Sequence, residues 1–174
     1  GSGGQNWVKD QIILDQRLRS LGDAALQKIS LETGMDVLDI GCGCGTTTFD
    51  IAHMVGNTGS VTGIDISEPM LQLALDRTEA YGLTNVKFLN RDVQADLLKT
   101  NSFDAAFSRF GVMFFDDPVR AFVNINRALR RGGQLSFVCF QSPEQNLWAS
   151  LSQKIIEKHL QIKMFEDKRA PSPF

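Results

Sequence analysis

Cysteine is scarce in these 174 residues, occurring only at Cys42, Cys44 and Cys139. Three thiols close no disulfide framework, so a reduced, cytoplasmic protein held together by its core is expected. No apolar run approaches the roughly 18 residues that would cross a bilayer, so no membrane span is expected. Neither sign of charge prevails: 18 Lys and Arg stand against 20 Asp and Glu. Without a basic footprint, nucleic acid is not expected as a partner. Two histidines and one tyrosine leave few candidates for proton transfer or metal binding. What is present is ordinary for a globular chain, with 43% hydrophobic and 22% charged residues. The length suits one domain, which can bury roughly 70% of its unfolded surface.

Glycines punctuate the chain into alternating strands and helices. Gly1 to Gly4 is expected to be a cloning scar, 5–140 the core, and 141–174 the start of a cap or C-terminal extension. Leu14, Leu18, Leu21, Ala25 and Ile29 recur at helical spacing, with a break expected at Gly22. Strands are expected over 35–40, 60–65, 86–89, 103–107 and 134–140. Between them, Thr46 to Val55 reads as a helix closed by Gly56, and Ser67 caps another that Gly82 stops. Pro118, Phe122, Ile125 and Leu129 line one face of a helix running to Gly132-Gly133. Asn146 to Gln161 is amphipathic, with Trp148, Leu151 and Ile155 on a shared face, and Lys163 to Phe174 reads as a tail. Such alternation implies an α/β fold: a Rossmann-like, doubly wound, mostly parallel sheet with helices on both faces.

The informative stretch is Asp39-Ile40-Gly41-Cys42-Gly43-Cys44-Gly45, between a strand and a helix. Glycine at every second position lets backbone approach a ligand with no Cβ in the way. By itself such a turn is as readily structural as functional. However, Asp65 follows Gly45 by about 20 residues at the end of the second strand, where a carboxylate can hold ribose hydroxyls. Asp92 follows the third strand, where it can accept from an adenine amine. All three features fall at the carboxyl ends of strands, the ligand-binding edge of doubly wound sheets.

These residues resemble the first motif of class I S-adenosylmethionine-dependent methyltransferases, D-x-G-x-G-x-G. The spacing departs from the G-x-G-x-x-G of nicotinamide-dependent oxidoreductases, which makes that alternative the weaker one. Ile64-Asp65-Ile66-Ser67, Asn90-Arg91-Asp92-Val93 and Phe103 to Ser108 resemble the later motifs in order. The resemblance implies S-adenosylmethionine as cofactor, with S-adenosylhomocysteine as product. It places Asp39 near the methionyl ammonium, and Gly41, Cys42, Gly43 and Gly45 in backbone contact with the ligand. It assigns Asp65 to the ribose, Ile66 and Met70 to the adenine face, and Asp92 and Val93 to the adenine edge. Ser108 would offer its carbonyl to the ammonium, with Arg109 beside it, and Trp7 would close over the cofactor. Phe110, Met113 and Phe114 would face the transferable methyl.

The expected reaction is in-line methyl transfer to a small-molecule, lipid-like or quinone-type acceptor. The alternative is a domain that binds the cofactor without turnover. No catalytic base and no metal site are assigned: His53 sits about two turns into a helix, and the Cys42-x-Cys44 pair lacks partners at metal-ligand spacing. The family's sheet has a further hairpin after the fifth strand, so truncation is expected. The exposed edge of that strand then suggests homodimerisation.

Overall fold

A computed structural model describes residues 2–142 and 145–160. The elements run α1 (Ser2–Leu26), β1 (Asp36–Ile40), α2 (Thr46–Val55), β2 (Ser60–Asp65), α3 (Glu68–Tyr81), β3 (Val86–Asn90) and β4 (Phe103–Arg109). A single 3-10 turn at Val112–Phe114 leads to α4 (Pro118–Ala128), β5 (Leu129–Val138) and α5 (Leu147–Leu160). Every strand pairing is parallel, in the order β3-β2-β1-β4-β5. The expected Rossmann-like sheet is therefore the observed one. The chain builds outward from β1 to β3, then crosses back to lay β4 on the other side of β1. A crevice opens where the winding reverses, at the carboxyl ends of β1 and β4.

Alternation along the strands sorts the core into two layers. Val37, Val61, Ala105 and Phe107 face α2 and the end of α1, where Ile51, Val55, Ala25, Leu26 and Ile29 meet them. Leu38, Ile40, Ile64 and Ala106 point the other way, onto Ala121 and Ile125 of α4. Helices thus cover both faces. The α-helical boundaries follow local chemistry. The amide of Gly56 closes α2 on the Ala52 carbonyl, Gly82 closes α3 in the left-handed region, and Asp117 caps α4 by accepting from the Arg120 amide at 3.0 Å.

Several expectations need correction. Helix α1 runs through Gly22 without a break and includes Ser2 to Gly4. Gly22 is buried against β4, and packing overrides its low helix propensity. Helix α4 ends at Ala128, so Leu129 to Gly133 belong to β5, with a register shift opposite Phe103 and Ala105. The buried face of α4 is Ala121, Asn124, Ile125 and Ala128, while Pro118 is exposed. Beyond β5, α5 falls within the expected segment 146–161; its Leu151 and Ile155 are exposed, and the side chain of Trp148 lies outside what is described. The expected tail, Lys163 to Phe174, lies outside the described residues, as does Gly1. Among the described residues the outer edge of β5 has no strand beside it.

Candidate functional site

A cavity of about 220 Å³ lies over the carboxyl ends of the strands, and the glycine loop forms its floor. Gly41, Gly43 and Gly45 all have positive φ (66°, 55° and 85°), so the loop doubles back within a few residues. It is also crowded: a Cβ on Gly41 would stand 2.7 Å from the Gly111 Cα, and one on Gly43 2.8 Å from the Met70 Cε. At Gly41 only glycine lets the two backbones close on one another, while at Gly43 the neighbour is the flexible end of Met70.

Asp65, at the end of β2, stands beside the loop. Its carboxylate accepts from the Gly43 amide at 2.9 Å and from the Ser67 amide at 2.8 Å. A carboxylate has about four acceptor positions, so both oxygens retain capacity for ligand hydroxyls. Burial raises its pKa, opposed by the bonds from the Ser67 and Gly43 amides. Asp92 lies across the cavity, its Oδ1 held by the Gln94 amide at 2.8 Å, and Val93 is buried next to it.

Asp39 sits lower. It is wholly buried, does not line the cavity, and ties the start of α2 to β1. Its Oδ2 accepts from the hydroxyls of Thr47 at 2.9 Å and Thr48 at 2.6 Å, while its Oδ1 has no hydrogen-bond partner. Burial pushes its pKa up to about 6 against the pull of those two hydroxyls.

Of the other expected residues, Trp7, Cys42, Ile66, Met70, Arg109, Phe110 and Phe114 line the cavity. Gly45, Ser108 and Met113 do not. Gly45 packs against Phe49 and Phe88 behind the loop. The Ser108 hydroxyl pins β4 to β1 by donating to the Ile40 carbonyl at 2.7 Å. Met113 sits in the 3-10 turn, half-buried. Phe110 holds φ at 61°, a strained conformation for a bulky residue, and stacks on Phe140 with ring centroids 4.5 Å apart. Strain of that kind costs on the order of 1–3 kcal/mol and gathers at functional sites.

Sequence reasoning missed Gln11, Leu14, Asp15 and Leu18 of α1, which wall one side of the cavity. The available signal was two polar residues, Gln11 and Asp15, interrupting the apolar stripe that includes Leu14 and Leu18. His53 is exposed and outside the cavity, with Nδ1 2.7 Å from the Phe49 carbonyl of its own helix. Burial pushes the Cys42 thiol well up and that of Cys44 to about 11, so both stay protonated at neutral pH.

A family model described as a methyltransferase domain matches residues 31–170. The chain belongs to the methyltransferase domain family. A demethylmenaquinone methyltransferase of Staphylococcus aureus is 34% identical over 122 residues, 70% of this chain and 49% of that protein. This methyltransferase domain thus spans about half the length of the curated relatives it matches. Among solved structures, the phosphoethanolamine N-methyltransferase 2 of Haemonchus contortus, in complex with phosphomonomethylethanolamine and S-adenosylhomocysteine, superposes with a TM-score of 0.63. It is 27% identical, covering 85% of this chain and 37% of that one. The [4+2]-cyclase SpnF superposes at 0.62 with 31% identity, covering 68% of this chain and 43% of its own.

S-adenosylmethionine is the cofactor of this class I family, and the residues present fit it. The glycine cradle admits no Cβ at Gly41, where the Gly111 backbone crowds it, and the carboxylates of Asp65 and Asp92, at the end of β2 and just past β3, line the same cavity. No helix of the described residues is long and apolar enough to cross a membrane.

Proposed function

We propose that this methyltransferase domain transfers a methyl group from S-adenosylmethionine to a small apolar acceptor of the quinone type. The observation that carries the proposal is the joint placement of the glycine loop, Asp65 and Asp92 around one cavity that continues into an aromatic wall, Phe110, Phe114 and Phe115. Asp65 would hold the ribose, Asp92 and Val93 the adenine, and the loop amides the methionyl end. When bound, the cofactor would supply an electrophilic methyl on a positive sulfonium: the reduced acceptor would bond the methyl carbon, the thioether would keep the old bond pair, and the acceptor's proton would pass to water. The chain's own part is alignment and exclusion of water. Holding the acceptor in line can contribute effective molarities of about 10⁵ M or more. The aromatic wall desolvates the acceptor, and no side chain of the cavity is assigned as a base.

Kinship with a demethylmenaquinone methyltransferase supports the quinone-type acceptor. The second reading, cofactor binding without methyl transfer, draws support from the likeness to a [4+2]-cyclase. Calorimetry with S-adenosylhomocysteine, followed by methyl transfer to demethylated quinones supplied in the reduced, quinol form, separates them. Binding with transfer is the expected result, and binding without transfer to any quinol would favour the second reading.

The proposed location is the cytoplasm. The proposed assembly is a homodimer through the open edge of β5, which bears exposed Phe137. A monomer in light scattering at tens of micromolar chain would refute that assembly.

A further inference from the structure

One carboxylate in the cavity is not used by the reading above. Asp15, on α1, accepts from the guanidinium of Arg109 through Oδ1. Its Oδ2 accepts from the Thr46 hydroxyl at 2.5 Å and from the side-chain amide of Gln11. The two charged side chains keep only 15% (Arg109) and 18% (Asp15) of their exposure. Gly22, two turns further along α1, leaves room for the stem of Arg109: a Cβ there would stand 2.8 Å from its Cδ. The helix therefore lies along Arg109 from Asp15 to Gly22 and fixes the guanidinium at the cavity wall.

As a stabilising device this pair is weak, because desolvating two charges costs about as much as their attraction returns. Its location suggests another use. The glycine loop is flanked by two carboxylates: Asp65 receives the Gly43 amide, and Asp15 receives the Thr46 hydroxyl just beyond the loop. Asp39, the acid that the family resemblance places near the cofactor ammonium, does not reach the cavity, whereas Asp15 does.

We infer that Asp15 and Arg109 together clasp the amino-acid end of the donor, Asp15 taking the ammonium and Arg109 the carboxylate. The clasp rests on the cofactor reading proposed above. An α-amino acid presents opposite charges on neighbouring groups, and a fixed ion pair is complementary to both at once. The pair need not open, since a guanidinium has several donors and a carboxylate about four acceptor positions. Asp15 remains ionised for the task. Burial raises its pKa, but the bonds from Thr46 and Arg109 and the charge of Arg109 outweigh burial and leave it lowered.

Two ligands test the clasp by calorimetry: S-adenosylhomocysteine, and methylthioadenosine, which keeps the adenosyl thioether and lacks the amino-acid end. In Asp15→Asn and in Arg109→Gln the homocysteine ligand is expected to bind about 10-fold or more weakly, as for a lost charged hydrogen bond. Methylthioadenosine is expected to change less than about threefold. The ratio of the two Kd values is read within each variant, so a partly unfolded sample cancels. If either variant does not fold, Asp15→Glu and Arg109→Lys give the same ratio, expected to shift in the same direction. An unchanged ratio in Asp15→Asn, or tighter S-adenosylhomocysteine because the acid merely competed for Arg109, overturns the clasp and leaves the cofactor reading standing. If the unaltered domain binds neither ligand, both fall together.

Discussion

The two ends of the same sheet treat their acids in opposite ways. At the amino ends, Asp36 of β1 and Asp104 of β4 share one arginine, Arg130, with Asp36 2.8 Å from its guanidinium. Asp36 also accepts from the Ser60 hydroxyl at 2.6 Å, and its amide donates to Asp104 at 2.8 Å. The Ser60 hydroxyl first, then Arg130, hold the pKa of Asp36 below the ordinary value. At the carboxyl ends, burial raises the pKa of both Asp39 and Asp65, and one oxygen of Asp39 is unpartnered. Of these four acids, the two at the amino ends share a guanidinium, whereas Asp65 is held by amides alone and Asp39 keeps an unpartnered oxygen. Buried acids with raised pKa gather at functional sites, and Asp65 lines the cavity while Asp39 lies beneath it; the paired end serves the sheet.

The largest expected effect comes from removing the costliest charge. Asp39 has a folded pKa of about 6 against an ordinary 3.8, so its favourable contribution is complete below 3.8 and is lost as pH rises through 6. Asp39→Asn is therefore expected to stabilise the ligand-free domain at pH 8 by as much as roughly 3 kcal/mol, and to add little at pH 4. Urea unfolding at the two pH values checks it. Equal shifts at both would show that the ion is already satisfied, and the contrast between the ends would lose its main support.

Asp65→Ala tests whether that carboxylate serves a ligand. S-adenosylhomocysteine affinity is expected to fall by about 1.5 kcal/mol or more, through a lost charged hydrogen bond. A variant that binds normally in calorimetry but unfolds more easily in urea would make Asp65 a structural acid like Asp36.

Only the carboxyl-end half of this contrast was legible in the sequence, because the sharing of Arg130 by Asp36 and Asp104 is a tertiary arrangement. The glycines at 41 and 43, with Asp65 and Asp92 near strand ends, fall around the crevice because each is a local signal tied to one strand terminus, whereas Gly45 packs behind the loop. Parallel order followed from the alternation of elements. What stayed hidden was tertiary. Asp15 was a polar residue on an apolar stripe, and nothing local says that Arg109, on β4, completes it. Gly22 read as a helix break because propensity is local, while the stem of Arg109 that needs its missing Cβ is distant in sequence. The positive φ of Phe110 and the close approach of Gly111, just past β4, to the Ile40 carbonyl of β1 are likewise tertiary features that neither segment announces.

Arg130 offers the smallest effect and the cleanest control. Its bonds to Asp36 and Asp104 are half-exposed, with 40% of its side chain accessible, so water screens them. Arg130→Ala is expected to cost about 1 kcal/mol at pH 7, the upper range for a surface pair. Because the folded pKa of Asp36 is lowered, its contribution is present above 3.8 and is lost as pH falls through the lowered value. The variant should thus lose stability at neutral pH and converge on the parent in strong acid, opposite in sign to Asp39→Asn. Its affinity for S-adenosylhomocysteine should be unchanged, since Arg130 lies at the far ends of the strands from the cavity. A weakened Kd at full occupancy of the folded state would mean that the two ends are coupled through β1 and β4, and the division between them would have to be abandoned.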